Sequence, residues 1–196
     1  MRTRSWVMAA FAALVMAGAA DAGELKGKVK VVGARTSADA VVYIEAVAGK
    51  TFAPPSAHAT INQKSMLFVP HVMPVLVGTT VDFLNSDPVL HNVFTPDKCA
   101  GKFNLGSWPT GQTRSFTFKQ PCVATLLCNV HPEMEAFVVA VPTPFFAVTG
   151  ADGAYVIKDL PDGSYIVKIW HPKAKEASQP VNVEGATAAD FELARK

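Results

Sequence analysis

Cys128, His131 and Met134 stand three residues apart in the segment Cys128-Asn129-Val130-His131-Pro132-Glu133-Met134, which brings a thiolate, an imidazole and a thioether into seven positions. A second imidazole, His91, follows the run Asn85-Ser86-Asp87-Pro88-Val89-Leu90. Two His, one Cys and a weakly bound Met form a known type of copper donor set. The sulfur ligands suit Cu(I), and imidazole accepts both oxidation states. Such a set therefore points to one-electron chemistry at a single ion. Met is a poor zinc ligand and structural zinc sites favour several Cys, so zinc ranks below copper.

The elements that must position these groups read as strands. A C-x-x-H-x-x-M loop between two strands turns its three side chains to one point, whereas a strand would alternate them between faces. Short Val-, Ile-, Phe- and Tyr-rich runs recur at Leu25 to Val32, Val41 to Ile44, Thr80 to Leu84, Thr113 to Phe118 and Ala136 to Val141. Pro and Gly punctuate the gaps, and long helical periodicity is missing. The expected fold class is all-β, a sandwich or a barrel. Near the C-terminus, Asp159-Leu160-Pro161-Asp162-Gly163 separates the runs Ala154 to Ile157 and Ser164 to Trp170, which reads as a hairpin.

The chain opens with Arg2 and Arg4, an apolar run from Trp6 to Ala19, and small residues before Gly23. That order reads as a secretory signal over residues 1–22, with export to the periplasm and no membrane span after cleavage; an uncleaved anchor is the alternative. The net charge of +2 comes from scattered residues, which offers no nucleic-acid footprint. Three cysteines in an oxidising compartment leave one thiol with a separate task. If Cys128 binds a metal, Cys99 and Cys122 remain as a disulfide pair; other pairings leave a bare reactive thiol. His58, His71 and His171 have no companion ligand cluster and read as structural or solvated.

The order N-x-D-x-x-x-H-N from Asn85, then G-x-x-x-S-x-T-F from Gly111, then C-x-x-H-x-x-M resembles the cupredoxins, and the short last loop is most similar to that of amicyanins. The resemblance covers about ninety residues, 55–142. It implies an eight-stranded Greek-key barrel, a type 1 copper ion at one end held by His91, Cys128, His131 and Met134, and a His131 ring edge that reaches the surface. It also implies that Asn92 pins the two ligand loops together. Pro88, Val89, Val130 and Pro132 would then collar His131 as a docking face for a redox partner such as a cytochrome or a periplasmic oxidoreductase.

Residues 150–170 carry the pattern D-G-x-Y-x-I-x-x-L-P-x-G-x-Y-x-V-x-x-W. This resembles the carboxypeptidase regulatory-like domain, a small transthyretin-like β-sandwich. Its usual opening strands look like Gly27-Lys28-Val29 and Ala40 to Ile44, far upstream. The reading is a discontinuous domain, 23–54 plus 143–196, interrupted by 55–142. Two consecutive domains or one fused sandwich are the alternatives.

Together these features lead to the expectation of a monomeric or weakly associating electron carrier and not an enzyme, since a catalytic copper cluster would need more His ligands than remain. The alternative is a copper carrier or chaperone without a redox-shuttle role.

Overall fold

The computed structural model describes residues 22–196. The expected leader therefore lies outside the described residues, except for Ala22, which opens the first strand. Apart from a short 3-10 turn (Lys98–Ala100), the regular structure is all β: β1 (Ala22–Val31), β2 (Val41–Ile44), β3 (Ala59–Lys64), β4 (Leu67–Val69), β5 (Val72–Leu76), β6 (Thr80–Asn85), β7 (His91–Phe94), β8 (Asn104–Trp108), β9 (Thr113–Thr117), β10 (Cys122–Leu127), β11 (Glu135–Val141), β12 (Phe146–Val148), β13 (Ala154–Pro161), β14 (Gly163–Trp170), β15 (Ala177–Val183), β16 (Ala186–Ala188) and β17 (Phe191–Leu193). The all-β expectation is met.

The strands form four sheets that pack in two pairs. In one pair, β1 lies between β13 and β16 and also pairs with β17, facing the sheet β12-β2-β14-β15. Leu25, Ile44, Ile157, Val167 and Ile169 fill the space between them. In the other pair, β5-β11-β10-β7-β8 faces β4-β3-β6-β9 over Ile61, Val81, Phe83, Trp108, Leu126 and Val138. Among the described strands, β1 and β2 pair with partners that follow residue 145 and with none from β3 to β11.

Strand β11 shows how sequence pattern follows burial. It is apolar at Ala136 to Val141 without alternation, and all six residues are buried. Ala136, Val138 and Ala140 face the core with Trp108. Phe137, Val139 and Val141 face the opposite way, onto Val41 of β2 and Trp170 of β14. A strand buried on both faces reads as a continuous apolar run. By contrast β10 alternates, with Cys122, Ala124 and Leu126 inward. The seam of Phe137 and Trp170, ring centroids 5.2 Å apart, joins the two pairs of sheets.

Two expectations need correction. The runs flanking Asp159–Gly163 do not form a hairpin: β13 pairs with β1, whereas β14 pairs with β2 and β15. Each buries its apolar face across the same core, from opposite sheets, so the turn is an arch between layers. The implied barrel is present as two packed sheets, but it has nine strands, β3 to β11 in sheets of four and five, where eight were expected. The apolar stretch 67–76 breaks at Pro70, which has no N–H to donate to a ladder. Thus β4 joins β3, and β5 crosses to lie parallel to β11.

Candidate metal centre

The sulfur of Cys128 follows directly on β10, and the loop 128–134 closes onto β11, the antiparallel neighbour of β10. The Met134 N–H donates to the His131 carbonyl at 3.0 Å, which tightens this loop into a turn. On the other side of β10, β7 pairs through Leu127 and Phe94. Continuing that register sets Asn92 level with Asn129, so His91 arrives beside the loop. The donor atoms of His91, Cys128 and His131 all lie within 4.8 Å of one another. Met134 is fully buried in the apolar cluster that also holds Cys128.

The two rings meet through matching atoms: His131 Nδ1 lies 3.1 Å from His91 Nδ1. His91 Nε2 is occupied on its far side, 2.8 Å from Asp87 Oδ2. With Nε2–H donating to that carboxylate, Nδ1 is the His91 atom left to face His131. Two imidazole lone pairs at this separation repel unless a cation or a proton stands between them. The donor set therefore fits a metal ion on chemistry and on approach. Access is unequal, since His91 has no exposed surface and Cys128 only 4%, while His131 is partly exposed.

Asp87 is a residue that sequence reading quoted in a motif without giving it a task. Its Oδ1 accepts from the Ser65 N–H at 2.6 Å, and its Oδ2 from the Met66 N–H at 2.8 Å. Ser65 and Met66 both have positive φ, 55° and 56°, a region non-glycine residues seldom occupy. Burial pushes the Asp87 carboxyl up, but the Met66 N–H, the His91 ring and the Ser65 N–H outweigh it and hold it below the usual carboxylate range. One carboxylate thus fixes both the β3–β4 turn and the His91 ring, the outer support typical of metal-binding histidines.

Asn85 and Asn92 shape the backbone around these donors. Asn85 Nδ2 donates to the carbonyls of Val89 and Trp108, and its Oδ1 accepts from the Asp87 N–H, which curls residues 85–91 back on themselves. Asn92 Nδ2 donates to Asn104 Oδ1 at 2.9 Å and to the Gly106 carbonyl at 2.8 Å. Its Oδ1 accepts from the Asn129 N–H at 3.3 Å, a direct tie between the two ligand segments.

The remaining sequence candidates fall as follows. Cys99 and Cys122 are disulfide-bonded, with Cα atoms 5.5 Å apart, at the end of β10 away from Cys128. Pro88, Val89, Val130 and Pro132 are exposed, and exposed Leu90 joins them. His58 pairs with Asp82, His71 with Asp39, and buried His171 contacts the Ala38 carbonyl, so none of them reaches the Cys128 cluster.

No family model matches the chain, and no curated protein does so either. Among solved structures it is similar to a Cu-containing nitrite reductase from Thermus scotoductus SA-01, with TM-score 0.43 and 24% identity over 51% of this chain and 25% of that one. It is also similar to a purple cupredoxin from Nitrosopumilus maritimus, with TM-score 0.38 and 26% identity over 42% of this chain and 98% of the other. A mutant amicyanin in its Cu(I) form gives TM-score 0.42 and 23% identity over 52% of this chain and 98% of the other. The chain spans a quarter of the nitrite reductase, and each likeness leaves about half of this chain unmatched.

The described residues contain no helix long and apolar enough to cross a membrane.

Proposed function

We propose that this chain is a cupredoxin-type copper protein that carries single electrons in the periplasm. The observation that carries the reading is the approach of two imidazoles and one cysteine sulfur to within 4.8 Å, with the His Nδ1 atoms facing each other. His91, Cys128 and His131, with Met134 as a fourth and weaker donor, would hold a copper ion, which would supply Cu(II)/Cu(I) exchange.

The chain's own residues prepare that site. Asp87 sets the His91 tautomer, and Asn92 holds the Asn129 backbone so that Cys128 and His131 keep their places. Trp108, Leu126 and Val93 belong to the buried apolar cluster that also holds Cys128 and Met134, which keeps water from that side. His131 is the most exposed of the donors, and Pro88, Val89, Leu90, Val130 and Pro132 are exposed on the same two segments. A small apolar collar suits brief docking of a redox protein, a cytochrome or a periplasmic oxidoreductase, where contacts are small and turnover is fast.

The sandwich built from β1, β2 and β12 to β17 is read as a carboxypeptidase regulatory-like module of 23–54 and 143–196 into which the copper unit, 55–142, is inserted. It serves as scaffold or docking surface and not as a second catalytic unit. The leader 1–22 directs export.

Cyclic voltammetry of copper-loaded protein in the presence of a copper chelator tests the carrier role. A reversible one-electron wave that survives repeated cycling is expected. Loss of copper to the chelator within a few cycles would instead assign metal delivery.

A further inference from the structure

A second concave feature lies away from the thiolate, where the β1–β2 connection, the stretch after β14, Arg195 and His71 enclose a cleft of about 440 Å³. Three cationic side chains line it: Arg35, Lys173 and Arg195. None of them has an ion-pair partner among the described residues. Asp39 is the cleft's one carboxylate, and it is engaged by His71 Nδ1 at 2.7 Å.

The walls that carry these cations are held by the fold. His171 is buried; its Nε2 donates to the Ala38 carbonyl and its Nδ1 accepts the Lys173 N–H, both at 3.1 Å. Burial lowers the His171 pKa, so it lines the cleft as a neutral group. The Lys173 carbonyl accepts the Lys196 N–H and Lys175 N–H donates to the Ala194 carbonyl, which zips the Arg195 segment alongside Lys173. On the opposite wall, Thr36 Oγ1 donates to the Ala151 carbonyl at 3.1 Å and accepts the Ala38 N–H, which anchors the turn bearing Arg35.

Like charges gathered around a concavity with low-dielectric walls focus a positive potential there. Arginine's planar fork suits carboxylate and phosphate oxygens, and lysine adds a point charge. The volume falls in the range of small-molecule sites and is too small for a folded partner. We propose that this cleft binds a small polyanion, a phosphate- or carboxylate-bearing molecule with at least two negative charges. Because His71 belongs to the copper-bearing sandwich and the other lining residues to its neighbour, the ligand borders both. The assignment does not depend on copper.

Isothermal titration calorimetry of the full chain with inorganic pyrophosphate, and separately with citrate, tests it at constant ionic strength set with sodium chloride. Saturable one-to-one binding of at least one probe is expected, and the tighter probe assigns phosphate or polycarboxylate chemistry. The double variant Arg35→Ala/Arg195→Ala should lose at least about tenfold in affinity with an unchanged unfolding midpoint, its side chains being exposed. Asp39→Asn, which removes the cleft's own negative charge, should tighten binding several-fold, while Lys64→Ala, remote from the cleft, should change nothing. Heats no larger than those of sodium chloride, or a double variant that binds as tightly as the parent, would overturn the assignment.

Discussion

Replacing Asp87 by Ala removes the one acceptor shared by the His91 ring and the β3–β4 turn. His91 has no exposed surface, so its Nε2–H loses its partner with no route to bulk water. An orphaned buried donor costs about 1–3 kcal/mol. The N–H groups of Ser65 and Met66 lie in an exposed turn and can bond water instead, at about 0.5–1 kcal/mol each. The sum is about 2–5 kcal/mol of stability in the metal-free protein, measured from urea unfolding with an unchanged m-value. Asp87→Asn should recover less than half of that, because its amide N–H₂ faces other donors. Copper affinity should fall by about 10–100-fold as the ring loses its outer support. A loss below about 0.5 kcal/mol for Asp87→Ala, the level of an ordinary surface change, would refute the shared-acceptor reasoning.

Two further outcomes follow from the framework around the site. The double variant Cys99→Ser/Cys122→Ser opens a loop with sequence separation 23 and should lose about 3 kcal/mol in urea unfolding, with the copper spectrum unchanged because Cys128 lies at the other end of β10. Burial, and then the nearby Asp190 charge, raise the Tyr155 pKa well above its ordinary 10, and its hydroxyl donates to the Ala189 carbonyl at 2.7 Å. The folded state thus favours the neutral phenol, so its stabilising contribution is complete below pH 10 and is lost as the unfolded phenol ionises above it. Tyr155→Phe should cost about 1 kcal/mol near neutrality and lose stability less steeply than the parent above pH 10; parallel declines would count against this.

The grouping of Cys128 and His131 with His91 was legible because different donor types at fixed spacing serve few other purposes, and His91-Asn92 supplied the second segment. Strand content was legible too: Val41–Ile44 matches the expected run, and β6, β9 and β11 differ from it by one residue at an end. Pairing was not legible. The turn at Asp162 looks the same to local sequence whether its strands share a ladder or face each other across a core, and only the long-range partners β1 and β2 decide it. Asp87 escaped for a related reason. Its importance arises from Ser65 and Met66, more than twenty residues away, and nothing within the ligand motif signals that contact. The cleft around Arg35, Lys173 and Arg195 draws on segments about 160 residues apart, beyond the reach of any spacing rule.

The visible spectrum of the copper-loaded protein tests the central claim most directly. Intense thiolate-to-copper charge-transfer absorption in the oxidised form, bleached by one reducing equivalent and lost in Cys128→Ser, is the expected result. A colourless Cu(II) form, or a band that persists without the Cys128 sulfur, would contradict it.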